Sequence, residues 1–230
     1  MRIFEASPAR HVAPDRVTCD QGNVSARHVV LAANVGIGDL SKQLRRTILP
    51  LHTFMIATEP LNPERAARVI PGAVAVYDTQ VALNYFRLSS DHRLLFGGGI
   101  TAGPRPRAWI ERHLQKAMTE VFPQLSDLQV DFAWSGALDM TANRIVQAGK
   151  DSDGIWHAQG FSGHGVALTL RTGEALADAI RGNENDLNLL AAARHKPIPG
   201  GRLLAPLTMP LGIAWEKLRR LAVSDGFYSL

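Results

Sequence analysis

Three glycines within six residues mark the stretch of this sequence that is best suited to bind a ligand, Gly160 to Val166. Because glycine lacks a Cβ atom, such a backbone can pass close to a bound group. The stretch follows a strand-like run, Ile155 to Gln159, and precedes a segment whose apolar spacing predicts a helix ending near Gly182. A helix start offers unpaired N–H groups and partial positive charge, which suit a phosphate or an electron-rich cofactor edge. A glycine-rich turn that binds nothing is an equally common source of this pattern.

The composition places the chain among ordinary folded proteins and argues against several functional classes. The chain has 230 residues, 46% hydrophobic and 20% charged, enough for one large domain or two small ones. The net charge of +4 is mild and the basic residues are scattered, which argues against nucleic-acid binding. The single cysteine, Cys19, excludes an internal disulfide and a cysteine-based zinc site. No signal peptide or membrane-spanning run is apparent, so we expect a soluble, cytoplasmic protein.

Six runs in the sequence predict β-strands that would position the turn. The run from His28 to Ala33 is short and almost continuously apolar, which is typical of a buried, parallel strand. Two other runs flank the turn-rich segment Ser89 to His92 and therefore predict a hairpin. The predicted strands cover residues 28–33, 53–58, 83–88, 93–96, 130–134 and 155–159.

Helical spacing of apolar residues predicts two clear helices and one further candidate. The clear helices run from Arg107 to Phe122 and from Gly165 to Arg181, and Gly182 would end the second. The further candidate runs from Leu207 to Ala222. Strands in the middle of the chain with helices beside them indicate a mixed α/β or α+β fold. The residues predicted to face inward from the second helix are Leu168, Ala175, Leu176, Ala179 and Ile180.

Four motifs occur in order along the chain, and they are His28–Asn34, Leu83–Leu88 with Leu94–Gly98, Trp134–Arg144, and Gln159–Val166. In this order and spacing, the sequence resembles the D-amino-acid-oxidase-like family of FAD-dependent oxidoreductases, and within it the gamma-glutamylputrescine oxidoreductases. The resemblance covers nearly the whole chain. It implies an α/β (α+β) fold with a mixed antiparallel substrate-domain sheet and flanking helices. The remaining strands and the C-terminal helix would belong to an FAD-binding domain.

One landmark of that family is missing from the sequence. Family members bind the ADP half of FAD on a Rossmann unit marked by G-x-G-x-x-G. Here the pair Gly36 and Gly38 is followed by Ser41 where the third glycine would stand. The resemblance therefore implies a truncated chain whose N-terminal Rossmann half is absent. It implies a residual FAD-binding segment over 1–50, a substrate domain over 51–140, a returning FAD-binding segment over 141–190 and a tail helix over 191–230.

The resemblance implies FAD as a non-covalent cofactor, since Cys19 does not match a covalent flavin position. The stretch Gly160 to Val166 would line the flavin ring and ribityl chain, with His164 shaping the turn rather than acting as a base. The backbone near Ala9 would contact the adenine. The alternative is that the segment around Ala9 is a simple edge strand. Ala33 and Asn34 would pass near the ribose and pyrophosphate, unless Asn34 only forms a turn. The implied cofactor residues are Ala9, Ala33, Asn34, Gly160, Phe161, Ser162, Gly163, His164, Gly165 and Val166.

The resemblance also implies candidate substrate residues. Tyr85 and Arg87 lie two apart on one strand face, where they would either line the substrate cavity or form an ordinary exposed pair. Trp134 is expected to pack in the core and sheet while bordering the pocket. The amino-acid oxidases of the family carry a carboxylate-binding arginine where Leu138 and Asp139 stand, so an amine lacking that anchor fits better. Asp139 would either favour a cationic amine or be a solvated carboxylate.

The function that the resemblance implies is the oxidation of an amine, similar to gamma-glutamylputrescine, by hydride transfer to flavin. O2 or another electron acceptor would reoxidise the flavin, and no catalytic residue is assigned. The alternative is an inactive remnant or accessory subunit that needs a separate Rossmann-bearing chain and exposes an apolar face. A role at nucleic acids or membrane surfaces, suggested by the basic pI, is disfavoured because the basic residues do not cluster.

Overall fold

The computed structural model of the chain describes residues 2–80 and 82–201, with Leu204, Leu211, Ala214 and Trp215 beyond them. The chain divides into two compact units. We call residues 2–50 with 138–201 the turn unit, and residues within 51–137 the sheet unit. Most of the helix predicted over residues 207–222 lies outside the described residues. The functional assignment of the predicted domain segments stays a prediction.

The turn unit begins with short strands and a helical turn. Three strands pair antiparallel in chain order, and they are β1 (Ala9–Ala13), β2 (Arg16–Cys19) and β3 (Gly22–Ser25). A two-residue strand, β4 (Val30–Leu31), leads through a 3-10 turn into the short helix α1 (Lys42–Arg45). Ser41 caps α1, because its side chain accepts the Leu44 N–H at 3.3 Å. Buried Val12, Leu31, Ile37 and Leu44 belong to one apolar cluster under these elements.

The sheet unit is built around one sheet and one amphipathic helix. Its elements are β5 (Ile48–Pro60), α2 (Pro63–Val69), β6 (Val76–Tyr77), β7 (Tyr85–Leu88), β8 (Arg93–Thr101), α3 (Arg107–Val121) and β9 (Val130–Thr141). The start of β5 and the end of β9, from residue 138, belong to the turn unit. The strand order is β6-β7-β8-β5-β9, and β7 and β8 form the predicted hairpin. Ile110, Leu114 and Met118 of α3 recur at helical spacing and share a core cluster with Phe54 and Phe96 of the sheet.

The chain then returns to the turn unit with four further elements, which are β10 (Gln147–Lys150), β11 (Trp156–Gln159), α4 (Gly165–Ile180) and α5 (Asn185–Ala191). Their sheet has the order β10-β11-β4, and β4 runs parallel to β11, as predicted. The strand predicted over residues 28–33 is shorter than expected. Val29 and Leu31 are buried but Val30 is exposed, so the apolar run does not mark burial on both faces.

Helix α4 ends as the sequence predicts but buries a different face. Gly182 has a φ of 103°, its N–H donates to the Ala179 carbonyl, and the Asn183 N–H donates to the Asp178 carbonyl. This is a Schellman end, which favours glycine. The expectation that Leu168 faces inward is wrong, because that side chain is exposed. The buried residues of α4 are Thr172, Ala175, Leu176 and Ala179.

The mixed α/β architecture with an antiparallel sheet and flanking helices is confirmed. In the part of the chain that the structure describes, no helix is both long and apolar enough to cross a bilayer.

Candidate functional site

The strand that enters the glycine-rich turn, Gly160–Val166, is anchored by buried polar side chains. Gln159, at the end of β11, is only 2% exposed and donates its Nε2 to the Leu44 carbonyl at 2.9 Å. The same nitrogen donates to Gln147 Oε1 at 2.9 Å, and Thr47 Oγ1 donates to that oxygen at 2.6 Å. Because buried hydrogen bonds are expensive to break, this network fixes the point at which the turn begins.

Asp139 binds the backbone of the turn itself. The residue is 1% exposed, and its carboxylate accepts the Gly160 N–H at 2.5 Å and the Phe161 N–H at 3.2 Å. Its backbone carbonyl accepts the Ser162 N–H at 3.0 Å. One residue therefore accepts three consecutive N–H groups. The expectation of a solvated Asp139 is wrong, because both side-chain oxygens are engaged in the interior.

The first position of the turn requires glycine for two reasons. Gly160 has a φ of +75°, a conformation that other residues adopt only with strain. A Cβ atom placed there would lie 2.4 Å from Thr141 Cγ2, far inside the normal contact distance. Ser162 also has a positive φ and donates its Oγ to the Gly160 carbonyl at 3.1 Å. The turn is thus tightly packed where it meets the end of β9.

The other end of the turn is open. Gly163 has a φ of +91°, and a Cβ placed there would meet no atom within 4 Å. His164 is the N-cap residue of α4, with its N–H donating to the Phe161 carbonyl at 2.9 Å, but its side chain caps no helix N–H. The first N–H groups of any helix lack intrahelical partners. The positive end of α4 is therefore available to a ligand beside Gly165 and the fully exposed Val166.

A groove of about 580 Å³ lies along this open end of the turn, within the turn unit. Its walls come from the region around β4, from the turn and from α4, and most of them are apolar. The lining, as far as the chain is described, includes no lysine or arginine. Residues that line it include Val30, Ala32, Asn34, Phe161, Gly163 and Gly165.

The structure brings many of the predicted cofactor residues together at this groove. Asn34, Phe161, Gly163, Gly165 and Val166 line it. Asn34 has a φ of +50°, and its Oδ1 accepts the N–H of Val35, so it does form a turn as well. The remaining residues of the glycine-rich turn, Gly160, Ser162 and His164, are not among the residues that line the groove.

Two predicted cofactor residues lie elsewhere. Ala9 is in β1, opposite Cys19 in the small antiparallel sheet, and is not among the groove residues. Ala33 packs against the apolar cluster under β4, whereas its neighbour Ala32 lines the groove. Alternation of side chains along an extended segment is the signal that separates Ala32 from Ala33, and it was available in the sequence.

The predicted substrate residues belong to the sheet unit. Tyr85 and Arg87 flank Phe86, which stacks on Phe96 in the core, so they lie on the opposite face of the sheet. The Tyr85 hydroxyl lies 2.9 Å from Thr53 Oγ1, and burial raises the pKa of Tyr85. Arg87 is exposed. These positions leave the substrate role of both residues a prediction.

The expectation that Trp134 packs in the core is wrong. Its side chain is 44% exposed, and neighbouring Phe132 is 55% exposed. Both lie on β9, the last strand in the order of the sheet, so among the described residues one side of their strand has no neighbouring strand. Among the described residues, no group of three or more His, Cys, Asp or Glu side chains could hold a metal ion.

Known proteins resemble this chain over most of its length. A family model described as FAD dependent oxidoreductase (DAO) matches residues 1–179. The gamma-glutamylputrescine oxidoreductase of Escherichia coli (strain K12) is 35% identical over 227 residues, which cover 96% of this chain and 53% of that protein. The probable oxidoreductase OrdL of Haemophilus influenzae is 36% identical over 225 residues, covering 94% of this chain and 51% of that protein.

Solved structures share the fold. The glycine oxidase of Geobacillus kaustophilus superposes with a TM-score of 0.69 at 20% sequence identity, covering 84% of this chain and 53% of that one. The chain spans about half the length of the curated relatives reported above. The family match and the identities nevertheless establish that the chain belongs to the DAO family of FAD dependent oxidoreductases.

Proposed function

We propose that this chain provides the flavin-binding turn and the substrate sheet of an FAD-dependent oxidoreductase that oxidises an amine at its CH–NH bond. The observation that carries the proposal is the glycine-rich turn, which Asp139 holds beside the uncapped start of α4 at an apolar groove. Non-covalent binding is proposed because Cys19, the one cysteine, lies in β2 and is not among the groove residues.

The residues at the groove fit a planar, electron-rich group. Gly163 leaves room for close approach, and the start of α4 offers N–H donors and partial positive charge. The apolar walls would exclude water, which strengthens such electrostatic contacts. FAD, when bound, supplies the acceptor for the two electrons released when a carbon–nitrogen bond is oxidised. The first N–H groups of α4, beginning at Gly165, would hold the acceptor edge of that cofactor, because the N–H groups of Gly160 to Ser162 already donate to Asp139.

The substrate we propose is an amine whose reacting end carries no α-carboxylate, such as gamma-glutamylputrescine. The amino-acid oxidases that this chain resembles bind the substrate carboxylate with an arginine at the position where Leu138 and Asp139 stand here. Leu138 and Asp139 both line the groove, and the Asp139 carboxylate accepts N–H groups of the turn. The name of the Escherichia coli relative supports the same class of substrate. Tyr85, Arg87 and Trp134 remain the proposed substrate residues, and O2 or another acceptor would complete the cycle.

A titration of the purified chain with FAD, followed by flavin absorbance and fluorescence, tests this proposal. Gamma-glutamylputrescine is then added without oxygen, and glycine is added to a matched sample. We expect saturable FAD binding, with loss of the oxidised-flavin absorbance on addition of the amine but not of glycine. Reduction by glycine alone would contradict the proposed substrate class, and failure to bind FAD under any condition would contradict the proposed site.

A second candidate function is an accessory half that needs a separate Rossmann-bearing chain. The observation that favours it is exposed apolar surface in the turn unit, since Val30 is 44% exposed, Leu170 is 73% exposed and Val166 is fully exposed. The described part of β4 also ends the order of its sheet. Mixing the chain with the separately produced Rossmann half of the Escherichia coli relative tests this candidate. FAD binding only in the mixture supports it, and tight binding by the chain alone contradicts it.

A further inference from the structure

We infer that Asp139 is a positioning residue of the flavin site, because its buried carboxylate fixes the backbone that presents the start of α4 to the ligand. The ligand part of this inference rests on the proposed function. The structural part rests only on the contacts of Asp139 with the glycine-rich turn, and it is testable without a cofactor.

The contacts of Asp139 form a clamp on consecutive residues. Its two carboxylate oxygens accept the N–H groups of Gly160 and Phe161, and its own carbonyl accepts that of Ser162. The Thr141 N–H, two residues further along β9, donates to Ser162 Oγ at 3.3 Å. The hydroxyls of Thr141 and Ser162 also lie 3.5 Å apart, so the end of β9 and the turn are joined by five hydrogen bonds, two of which need the Asp139 side chain.

The backbone of the turn explains why a side-chain acceptor is needed there. Gly160, Ser162 and Gly163 all have positive φ values, so this segment cannot pair as a regular strand or helix. Non-glycine residues in that region persist only where the surroundings constrain them, which applies to Ser162. Without the carboxylate, the N–H groups of Gly160 and Phe161 would lose their acceptors beside a buried strand end.

The type of residue matters as well as its place. An ionised carboxylate is an acceptor at both oxygens, and charge-assisted hydrogen bonds are stronger than neutral ones. An asparagine at this position would offer one acceptor and would direct an NH2 group at the other backbone N–H. Asp139 contributes to the lining of the groove, but it is only 1% exposed and both of its carboxylate oxygens accept N–H groups of the turn, so we assign its action to the turn.

The consequence for the site is geometric. Phe161, Gly163 and Gly165 all line the groove, and each follows the clamped residues within the same turn. A shift of Gly160 and Phe161 would therefore move the groove wall and the start of α4 together. Small displacements of this kind weaken binding through misaligned contacts.

The experiment compares Asp139→Asn with a matched control, Asp151→Asn, in the full chain. Asp151 lies in the same unit and its carboxylate accepts the N–H groups of Asp153 at 3.0 Å and Ile155 at 2.8 Å, but it does not line the groove. We measure amide hydrogen exchange at Gly160 and Phe161 without cofactor. We expect about tenfold faster exchange in Asp139→Asn, as for the loss of a charge-assisted hydrogen bond. We expect no selective change at these two amides in Asp151→Asn.

A graded variant, Ser162→Ala, covers the case in which Asp139→Asn does not fold. It removes the Oγ contacts with Thr141 and Gly160 but keeps the carboxylate, so we expect a smaller acceleration at the same amides. An acceleration in Ser162→Ala spread evenly over the turn unit, with none selective for Gly160 and Phe161, would overturn the clamp.

The FAD dissociation constant provides the second readout. We expect binding about tenfold weaker in Asp139→Asn and unchanged in Asp151→Asn. Unchanged exchange at Gly160 and Phe161 in Asp139→Asn overturns the inference. Faster exchange with unchanged FAD affinity also overturns it, because Asp139 would then serve the fold alone. If the wild-type chain binds no FAD, both the proposed function and the part of the inference that concerns FAD are overturned. Equal FAD binding by wild type and variant overturns only the inference, so the two failures can be told apart.

Discussion

Helices α3 and α4 are nearly equal in length, 15 and 16 residues, but they bury their apolar side chains differently. In α3 the buried residues Ile110, Leu114 and Met118 extend through most of the helix. In α4 burial begins only at Thr172, and the apolar side chains of the first turns, including Leu170, are exposed. The first helix thus stabilises a core along its length, whereas the second does so only in its C-terminal part.

This difference shows that apolar residues of a helix can either pack in a core or form a binding surface. A periodic apolar stripe predicts a helix and one of its faces, but it does not distinguish a core contact from a surface kept for a ligand or partner. The exposed half of α4 begins at the glycine-rich turn and lies beside the groove. Its apolar character therefore supports the binding role that we propose for this end of the turn unit.

The largest effect should come from shortening a core side chain of α3. Leu114→Ala removes a side chain that is 0% exposed, and we expect the free energy of unfolding to fall by about 3 kcal/mol. Leu170→Ala in α4 is the matched control, and it should change that free energy by less than about 0.5 kcal/mol. Urea unfolding of both variants measures the two changes. Equal losses would contradict the contrast between the helices.

A smaller effect should follow from adding a methyl group to the turn. Gly160→Ala introduces a Cβ that meets Thr141 at a position of positive φ, and we expect a loss of about 2–3 kcal/mol. Gly163→Ala has a similar φ but open space, so only the backbone strain of about 1 kcal/mol should appear. The ratio of the two losses, measured by chemical unfolding, reports the tight packing at one end of the turn. A larger loss at Gly163 would contradict it.

Mildly acidic pH should lower the stability of the turn unit through protonation of His157. Burial lowers the pKa of His157, Asp151 opposes that shift, and His195 adds to it. Since the folded-state pKa lies below the unfolded value of about 6.5, the unfolded state takes up the proton first. The contribution of neutral His157 is therefore present above that pH and is lost as the pH falls below it. His157→Gln should lose less stability between about pH 7 and pH 5, whereas Thr47→Val should keep the wild-type slope.

High pH should destabilise the sheet unit through Tyr85, and this is the smallest of the effects that we expect. Burial raises the pKa of Tyr85 above about 10, and its hydrogen bond with Thr53 opposes that shift. The folded state then keeps the proton longer, so this contribution is present below pH 10 and is lost as the pH rises through the folded-state pKa. Tyr85→Phe should cost about 1 kcal/mol at neutral pH but remove this alkaline loss. Ultraviolet titration of wild type and variant identifies the Tyr85 signal, and identical curves would contradict burial of its hydroxyl.

Local sequence patterns predicted the parts of the fold that depend on local physics. Helix α3, the hairpin of β7 and β8 and the glycine end of α4 follow from periodicity and turn residues, and the structure confirms them. The exposure of Trp134 was not predictable in the same way, because it depends on β9 taking the last place in the sheet order. Strand order is set by contacts between distant residues, which spacing in one sequence does not reveal.

The candidate site was likewise predictable only where it depends on local sequence. The turn from Gly160 to Val166 was recognisable from its glycines and from the helix that follows. The clamp by Asp139 was not, since it joins residues about 20 positions apart, and an aspartate on a strand gives no local sign of burial. Buried polar residues acquire their role only from the partners that the fold brings to them.

The measurement that tests the proposed site most directly is an amide exchange map of the chain with and without saturating FAD. We expect slower exchange at residues 160–170, which cover the turn and the exposed start of α4, and no change in α3. Protection confined to the sheet unit, or no protection at residues 160–170 when FAD is bound, would contradict the assignment of the glycine-rich turn as the flavin site.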